Sequence, residues 1–201
     1  MRIELVEDPD LIRAMGYAPD AARTRGVLHL SDIYKDLMCD LQPARFSRDP
    51  FQMNSRVEAG ILFESILEQA LAAKFATVRP GEIVSPEGVH MSPDGVNAHL
   101  LAGEEYKTTW MSSRAGVTDE YGMPLEKFLH WFVQMKGYAY GLDIRRFLLR
   151  VFFVNGNYSK NRADPEGSPC FKTWDIEFTS SEIEENWAML MNHARSKGLL
   201  R

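Results

Sequence analysis

The sequence predicts a mixed α/β domain. Four segments carry helix signals, several short runs rich in β-branched and aromatic residues read as strands, and the order along the chain is helix, helix, strands, helix, strands, helix. Composition agrees: 45% hydrophobic and 25% charged residues in a chain of 201 suit one ordinary globular domain with a real core.

The segment Val27 to Leu41 repeats apolar residues at Leu30, Ile33, Tyr34, Leu37, Met38 and Leu41, the three-four spacing of a buried helix face, with Ser31 as its expected N-cap. After a loop containing Pro43, Arg45, Arg48 and Pro50, Val57 to Phe75 gives the strongest helix signal, closed by Pro80 and Gly81. The runs EIVS and GVHMS read as paired strands around a turn at Pro86-Glu87-Gly88, and Asn97 to Trp110 as a continuation of the sheet. Pro124 is expected in the first turn of the next helix, whose core stripe is Leu125, Phe128, Phe132, Met135, Ala139 and Leu142. Strands follow at Arg146 to Val154 and Phe171 to Phe178, separated by the loop NGNYSKNRADPEGSP. The last helix has Ser180 or Ser181 as cap, acids in its first turn and bases in its last. Its Trp187, Met189 and Met191 read as core.

The net charge of -5 gives no sign of a surface coated with positive charge, so binding to a polyanion would rest on basic residues confined to one groove. Cys39 and Cys170 are the only cysteines, which suits a reduced protein and is too few for a four-thiolate cluster. With no apolar run of signal-peptide or membrane-helix length, the expected location is the cytoplasm.

Phosphodiester hydrolysis needs hard oxygen ligands converging on a cation, together with a group that orients water. Asp94 sits at a bend between Pro93 and Gly95. Eleven residues on, Glu105 and Lys107 flank Tyr106, and on a strand 105 and 107 share one face while 106 takes the other. Glu105-x-Lys107 is the only acid-x-Lys triplet in the chain, but such a triplet arises roughly once in a hundred or more positions, so other residues must support it. Glu64, at the margin of an apolar helix face, is one. His130, Gln134 and Tyr138, four apart along another helix, form a polar row that can reach a common site. His29, His90, His99 and His193 show no metal-ligand spacing.

Taken together, SPDGV, EEYK and QMKGY, preceded by a helix containing GILFE, resemble the PD-(D/E)XK nuclease superfamily, and within it the RecB-like and phage-exonuclease branch, where a Gln-x-x-x-Tyr motif follows the catalytic strand on the next helix. Gln134-x-x-x-Tyr138 is the only such spacing here, and the likeness spans about residues 56 to 154. The resemblance implies a restriction-endonuclease-like core, a central mixed β-sheet flanked by helices, in a single domain over 1–201: an N-terminal helical segment 1–55, a catalytic core 56–178 and a C-terminal helix 180–198. It also implies that Asp94, Glu105, the Tyr106 carbonyl and Glu64 bind Mg2+ or Mn2+, that Lys107 orients the attacking water, and that Gln134 and Tyr138 stand beside the site. Three departures are visible: many RecB-like members carry His where Glu64 falls, though Glu is common in phage-exonuclease relatives; some relatives add four cysteines for an iron-sulfur cluster, which two cysteines cannot supply; and Glu104 adjoins Glu105, so the second acid is assigned by the x-Lys spacing alone.

The implied activity is a metal-dependent DNase, an exonuclease of phage or bacterial recombination or repair, with DNA as partner, a homo-oligomer as the expected assembly and a single-strand annealing or recombination protein as a further partner. A structure-specific or site-specific endonuclease, or a non-catalytic binding module on the same fold, remains open. Trp110, Ser112 and Arg114 in the loop after the catalytic strand, Lys160 and Arg162 in the later loop, and Arg56 are the expected DNA contacts.

Overall fold

Apolar residues at every third or fourth position wind Leu30–Leu41 into helix α1, and a run rich in Ala, Leu and Glu winds Ser55–Phe75 into helix α2, in a computed structural model that describes residues 26–48, 55–75, 77–111, 117, 119–120, 123–154 and 170–200. Short strands β1 (Thr77–Val78), β2 (Ile83–Val84), β3 (His90–Met91) and β4 (Gly95–Asn97) lead into β5 (Ala102–Thr109). A 3-10 turn at Glu126–Phe128 precedes α3 (Leu129–Leu142), followed by β6 (Arg146–Phe153), β7 (Cys170–Glu177) and α4 (Ser180–Ser196).

Among the described residues, five strands form one mixed sheet in the order β1-β4-β5-β6-β7; within it only β5 and β6 run parallel, and α3 lies in the crossover between them. β6 places Phe147, Leu149, Val151 and Phe153 on one face, all fully buried, and α1, α3 and α4 pack together over that face. α2 lies against β1 and β5, and its Phe63 meets Phe152 of the opposite face at 4.7 Å between ring centroids. The predicted mixed sheet flanked by helices is therefore observed.

Several element ends differ from expectation. α1 is capped by His29 rather than Ser31, because the Asp32 carboxylate accepts the His29 N–H at 3.2 Å. The EIVS and GVHMS strands pair around the expected turn, with Ile83 opposite Met91, but they form a separate two-stranded sheet. The stretch from Asn97 is broken by a hairpin turn in which Leu101 takes φ 49°. Pro124 stands ahead of the 3-10 turn rather than inside α3. α3 is buried almost all round: besides the expected Phe128, Phe132, Met135 and Ala139, it buries Trp131, Gln134, Gly137 and Tyr138. Gly137 lets α1 approach α3 closely there, since a Cβ would lie 2.7 Å from the Leu30 side chain. On α4, Trp187 and Met191 are core but Met189 is exposed.

Thr179, not Ser180 or Ser181, caps α4: its hydroxyl accepts the Glu182 N–H at 3.2 Å while the Glu182 carboxylate accepts the Thr179 N–H at 2.9 Å. Thr179→Ala is expected to cost about 1 kcal/mol in urea unfolding with an unchanged m-value; an unaltered midpoint would show that packing against α3 alone sets the helix start.

Candidate active site

The chain turns from β3 into β4 through Ser92-Pro93-Asp94, and β4 begins at Gly95, opposite Glu104 of β5. Asp94 thus stands just off the end of the β4 ladder. Its Oδ2 accepts the Tyr106 N–H at 2.7 Å, a bond that fixes the carboxylate beside β5. Gly95 is part of the same fit, because a Cβ there would lie 2.7 Å from the Tyr106 hydroxyl. In an extended strand the N–H and C=O of one residue point the same way. The Tyr106 carbonyl accordingly opens toward Asp94, where no strand follows.

β5 presents two different faces. Glu105 and Lys107 point to the face covered by α1, α3 and α4 and are joined by an ion pair. Glu104 and Tyr106 point to the other. There the fully buried Glu104 carboxylate accepts from Thr77 (3.3 Å), Asn97 (3.3 Å), the Tyr106 hydroxyl (2.8 Å) and the Arg150 guanidinium (3.1 and 3.0 Å). The two adjacent glutamates are separated by function: Glu104 knits β1, β4, β5 and β6 together, and Glu105 faces the cleft side.

That cleft has a volume of about 530 Å3, and Glu64, Asp94, Lys107, Gln134 and Tyr138 all line it. Glu105 lies behind Lys107 and is fully buried. Gln134 donates to the Tyr138 hydroxyl at 3.1 Å, as their four-residue separation on α3 allows. His130 of the same row turns to Phe46 and Trp131 instead, and burial, with Lys107 and Arg45 adding, holds its imidazole down at about 3.

The electrostatics of the cleft are those of acids short of a cation. Burial first, then the Asp94 charge, pushes the Glu105 carboxyl up to about 8 against the pull of Lys107. The same causes, in the same order, push Glu64 up to about 9. Burial works against the Lys107 ammonium, yet Glu105 and Asp94 outweigh it and hold the amine above its ordinary range. Two buried oxygens, Glu105 Oε2 and Gln134 Oε1, have no hydrogen-bond partner among the described residues. Hard, partly unsatisfied oxygen donors beside mutually repelling carboxylates fit a divalent cation. The cleft carboxylates do not all lie within 4.8 Å of one another, so holding an ion entails drawing them together. Among the described residues the set that does converge to that distance, Asp36, Asp40 and His193, is already neutralised by Arg48 and Lys197.

Of the expected DNA contacts, Trp110 follows β5 half-buried and away from the cleft lining. Ser112, Arg114, Lys160 and Arg162 lie outside the described residues, as does the side chain of Arg56. Sequence reasoning missed Tyr34, which also lines the cleft from α1; its phenol sits in an apolar stripe at core spacing, and no local signal marks its hydroxyl. Among the described residues no helix is long and apolar enough to cross a membrane.

No family model matches the chain, and no curated protein matches it in sequence. Solved structures do match. A phage related exonuclease from Haemophilus somnus 129PT superposes with a TM-score of 0.53 at 16% identity, over 96% of this chain and 86% of that one. An alkaline exonuclease from Laribacter hongkongensis gives 0.51 at 16% identity, over 86% and 89%. The same enzyme in complex with dAMP gives 0.50 at 15% identity, again over 86% and 89%. This chain has the fold of these exonuclease structures, which is restriction-endonuclease-like.

Proposed function

We propose that the protein is a metal-dependent DNA nuclease, acting as an exonuclease. The observation that carries this reading is the cleft itself: Glu105 is fully buried with an unpartnered oxygen, Asp94 and Glu64 stand nearby, and Lys107 is their shared ammonium group. In this reading Asp94, Glu105, the Tyr106 carbonyl and Glu64 hold Mg2+ or Mn2+. Once bound, such an ion polarises the phosphate and lowers the pKa of water. Lys107 offers its N–H donors to the attacking water and to the charge that develops on phosphate. Gln134, with its free carbonyl oxygen, and Tyr138 form the wall that keeps water and strand in place. Trp110, Ser112, Arg114, Lys160, Arg162 and Arg56 supply contacts to the DNA. The same reading extends to a single domain working in phage or bacterial recombination or repair, in the cytoplasm, as a homo-oligomer with an annealing or recombination partner.

End-labelled linear duplex incubated with Mg2+, with a chelator and beside closed circular DNA tests this directly. Release of labelled mononucleotides from linear DNA alone, abolished by the chelator, is the expected result. Cleavage of the closed circle would replace the exonuclease by an endonuclease, and no cleavage of any substrate would leave a binding module.

The shifted carboxyls give a second, independent check on the cation-free protein. Glu64 and Glu105 both have folded values raised above their ordinary 4.5, so between 4.5 and about 8 to 9 the folded state binds more protons than the unfolded one, and stability falls as pH rises through that window. The thermal midpoint without metal should accordingly decline from pH 5 to pH 9. Mg2+ should flatten the decline, since at 100 times its Kd a ligand adds about 2.7 kcal/mol. A decline unaffected by Mg2+ would mean that these acids do not hold the ion.

A further inference from the structure

Three tyrosines are buried around the cleft carboxylates, and their hydroxyls have different fates. Tyr106 donates to Glu104 at 2.8 Å on the far face of the sheet. Tyr138 accepts from Gln134 at 3.1 Å. Tyr34 is buried to the same degree, 7% exposed, yet no described residue hydrogen-bonds its hydroxyl, which is not sealed from solvent and belongs to the cleft lining with Asp94, Lys107 and Glu64. A phenol placed this way, within reach of solvent and with no protein partner among the described residues, has its donor free for a ligand in the cleft.

The chemistry of that ligand follows from what Tyr34 presents. Its ring is packed into the helix layer with Leu30, Ile33 and Met38, so no aromatic face is available for stacking on a base. Its hydroxyl feels the charges of Lys107, Glu105 and Asp94, which sets the O–H toward the cleft that Tyr34 lines. Burial lifts its pKa to about 12, with Lys107 pulling down and Glu105 and Asp94 pushing up, so at neutral pH the group is a donor. A phosphodiester offers acceptors only, and the carboxylates nearby cannot serve them.

We propose that Tyr34 is a substrate-contacting residue whose hydroxyl donates a hydrogen bond to a non-bridging oxygen of the scissile phosphodiester. The inference rests on the nuclease reading above and adds to it a donor on α1, on the helix layer rather than on the catalytic strand.

Tyr34→Phe removes that one hydroxyl and keeps the ring, so the fold and thermal midpoint should be retained. Single-turnover cleavage of end-labelled duplex at saturating Mg2+ should slow roughly 10- to 100-fold, while the Mg2+ activation constant and DNA binding in Ca2+ stay near wild type. A substrate carrying a single phosphorothioate diastereomer provides the signature. Sulfur at the oxygen that meets Tyr34 should slow the wild type, an effect that Mn2+ does not relieve, and should add nothing in Tyr34→Phe. If wild type cleaves and Tyr34→Phe cleaves within about twofold of it, or if the thio effect persists unchanged in the variant, Tyr34 does not touch the phosphate and the nuclease reading stands. If wild type cleaves nothing, both readings fall.

Discussion

Lys107→Ala will cut single-turnover cleavage by roughly 10²- to 10⁴-fold, the range for losing a positioned proton-transfer group or a donor to transition-state charge. The argument is one of charge. Lys107 is the cation paired with Glu105 and is held protonated by Glu105 and Asp94 together. Without it, the buried Glu105 has neither ion-pair partner nor a donor beside it, and the attacking water loses its orienting group. Lys107→Arg is the informative companion: it restores charge but replaces a compact ammonium with a planar fork that does not match the same space. It should therefore recover stability more than rate. Cleavage by Lys107→Ala at the wild-type rate in Mg2+, with the protein shown to be folded by circular dichroism, would remove Lys107 from the mechanism and with it the reading of this cleft as a nuclease site.

The second large effect is on folding. Arg150→Ala should destabilise the protein by about 3–5 kcal/mol, because it strands Glu104, fully buried, without the guanidinium that makes two of its hydrogen bonds. Burial alone would raise the Glu104 carboxyl, and hydrogen bonds from Arg150 first and Tyr106 next bring it below its ordinary range instead. The variant pair discriminates mechanism. Glu104→Leu combined with Arg150→Met removes both charges and should be much closer to wild type in urea unfolding than either single change. Additive losses in the double variant would mean that the two side chains act through separate contacts.

The parts of this site readable in sequence are those that depend on a local period. Glu105 and Lys107 share a face because strands repeat every two residues, and Gln134 meets Tyr138 because helices repeat every 3.6. Glu64 was recognisable as an acid on the edge of an apolar helix. Which of Glu104 and Glu105 serves the cleft is a different kind of question. It depends on what covers each face of β5, and that is set by the parallel pairing with β6, 44 residues on in sequence. Tyr34 was hidden for a related reason: in a helix stripe, a phenol reaching a cavity has the same spacing as one filling the core. The caps at His29 and Thr179 were misplaced by one or two residues because neighbouring polar side chains compete for the same N–H groups, and only the backbone at the helix start decides among them.

The back-to-back arrangement on β5 carries a consequence for folding fidelity. Glu104 and Glu105 are chemically identical neighbours, so a strand slipped by one position would still offer a carboxylate to either side of the sheet. Either slip would turn the phenol of residue 106 toward α1 and α3 and the ammonium of residue 107 to the face of Arg150, and the slip that sets residue 107 opposite Arg150 puts like charge against like. A single lysine beside two interchangeable acids thus works as a proofreading mark, penalising the wrong alignment where the acids themselves cannot.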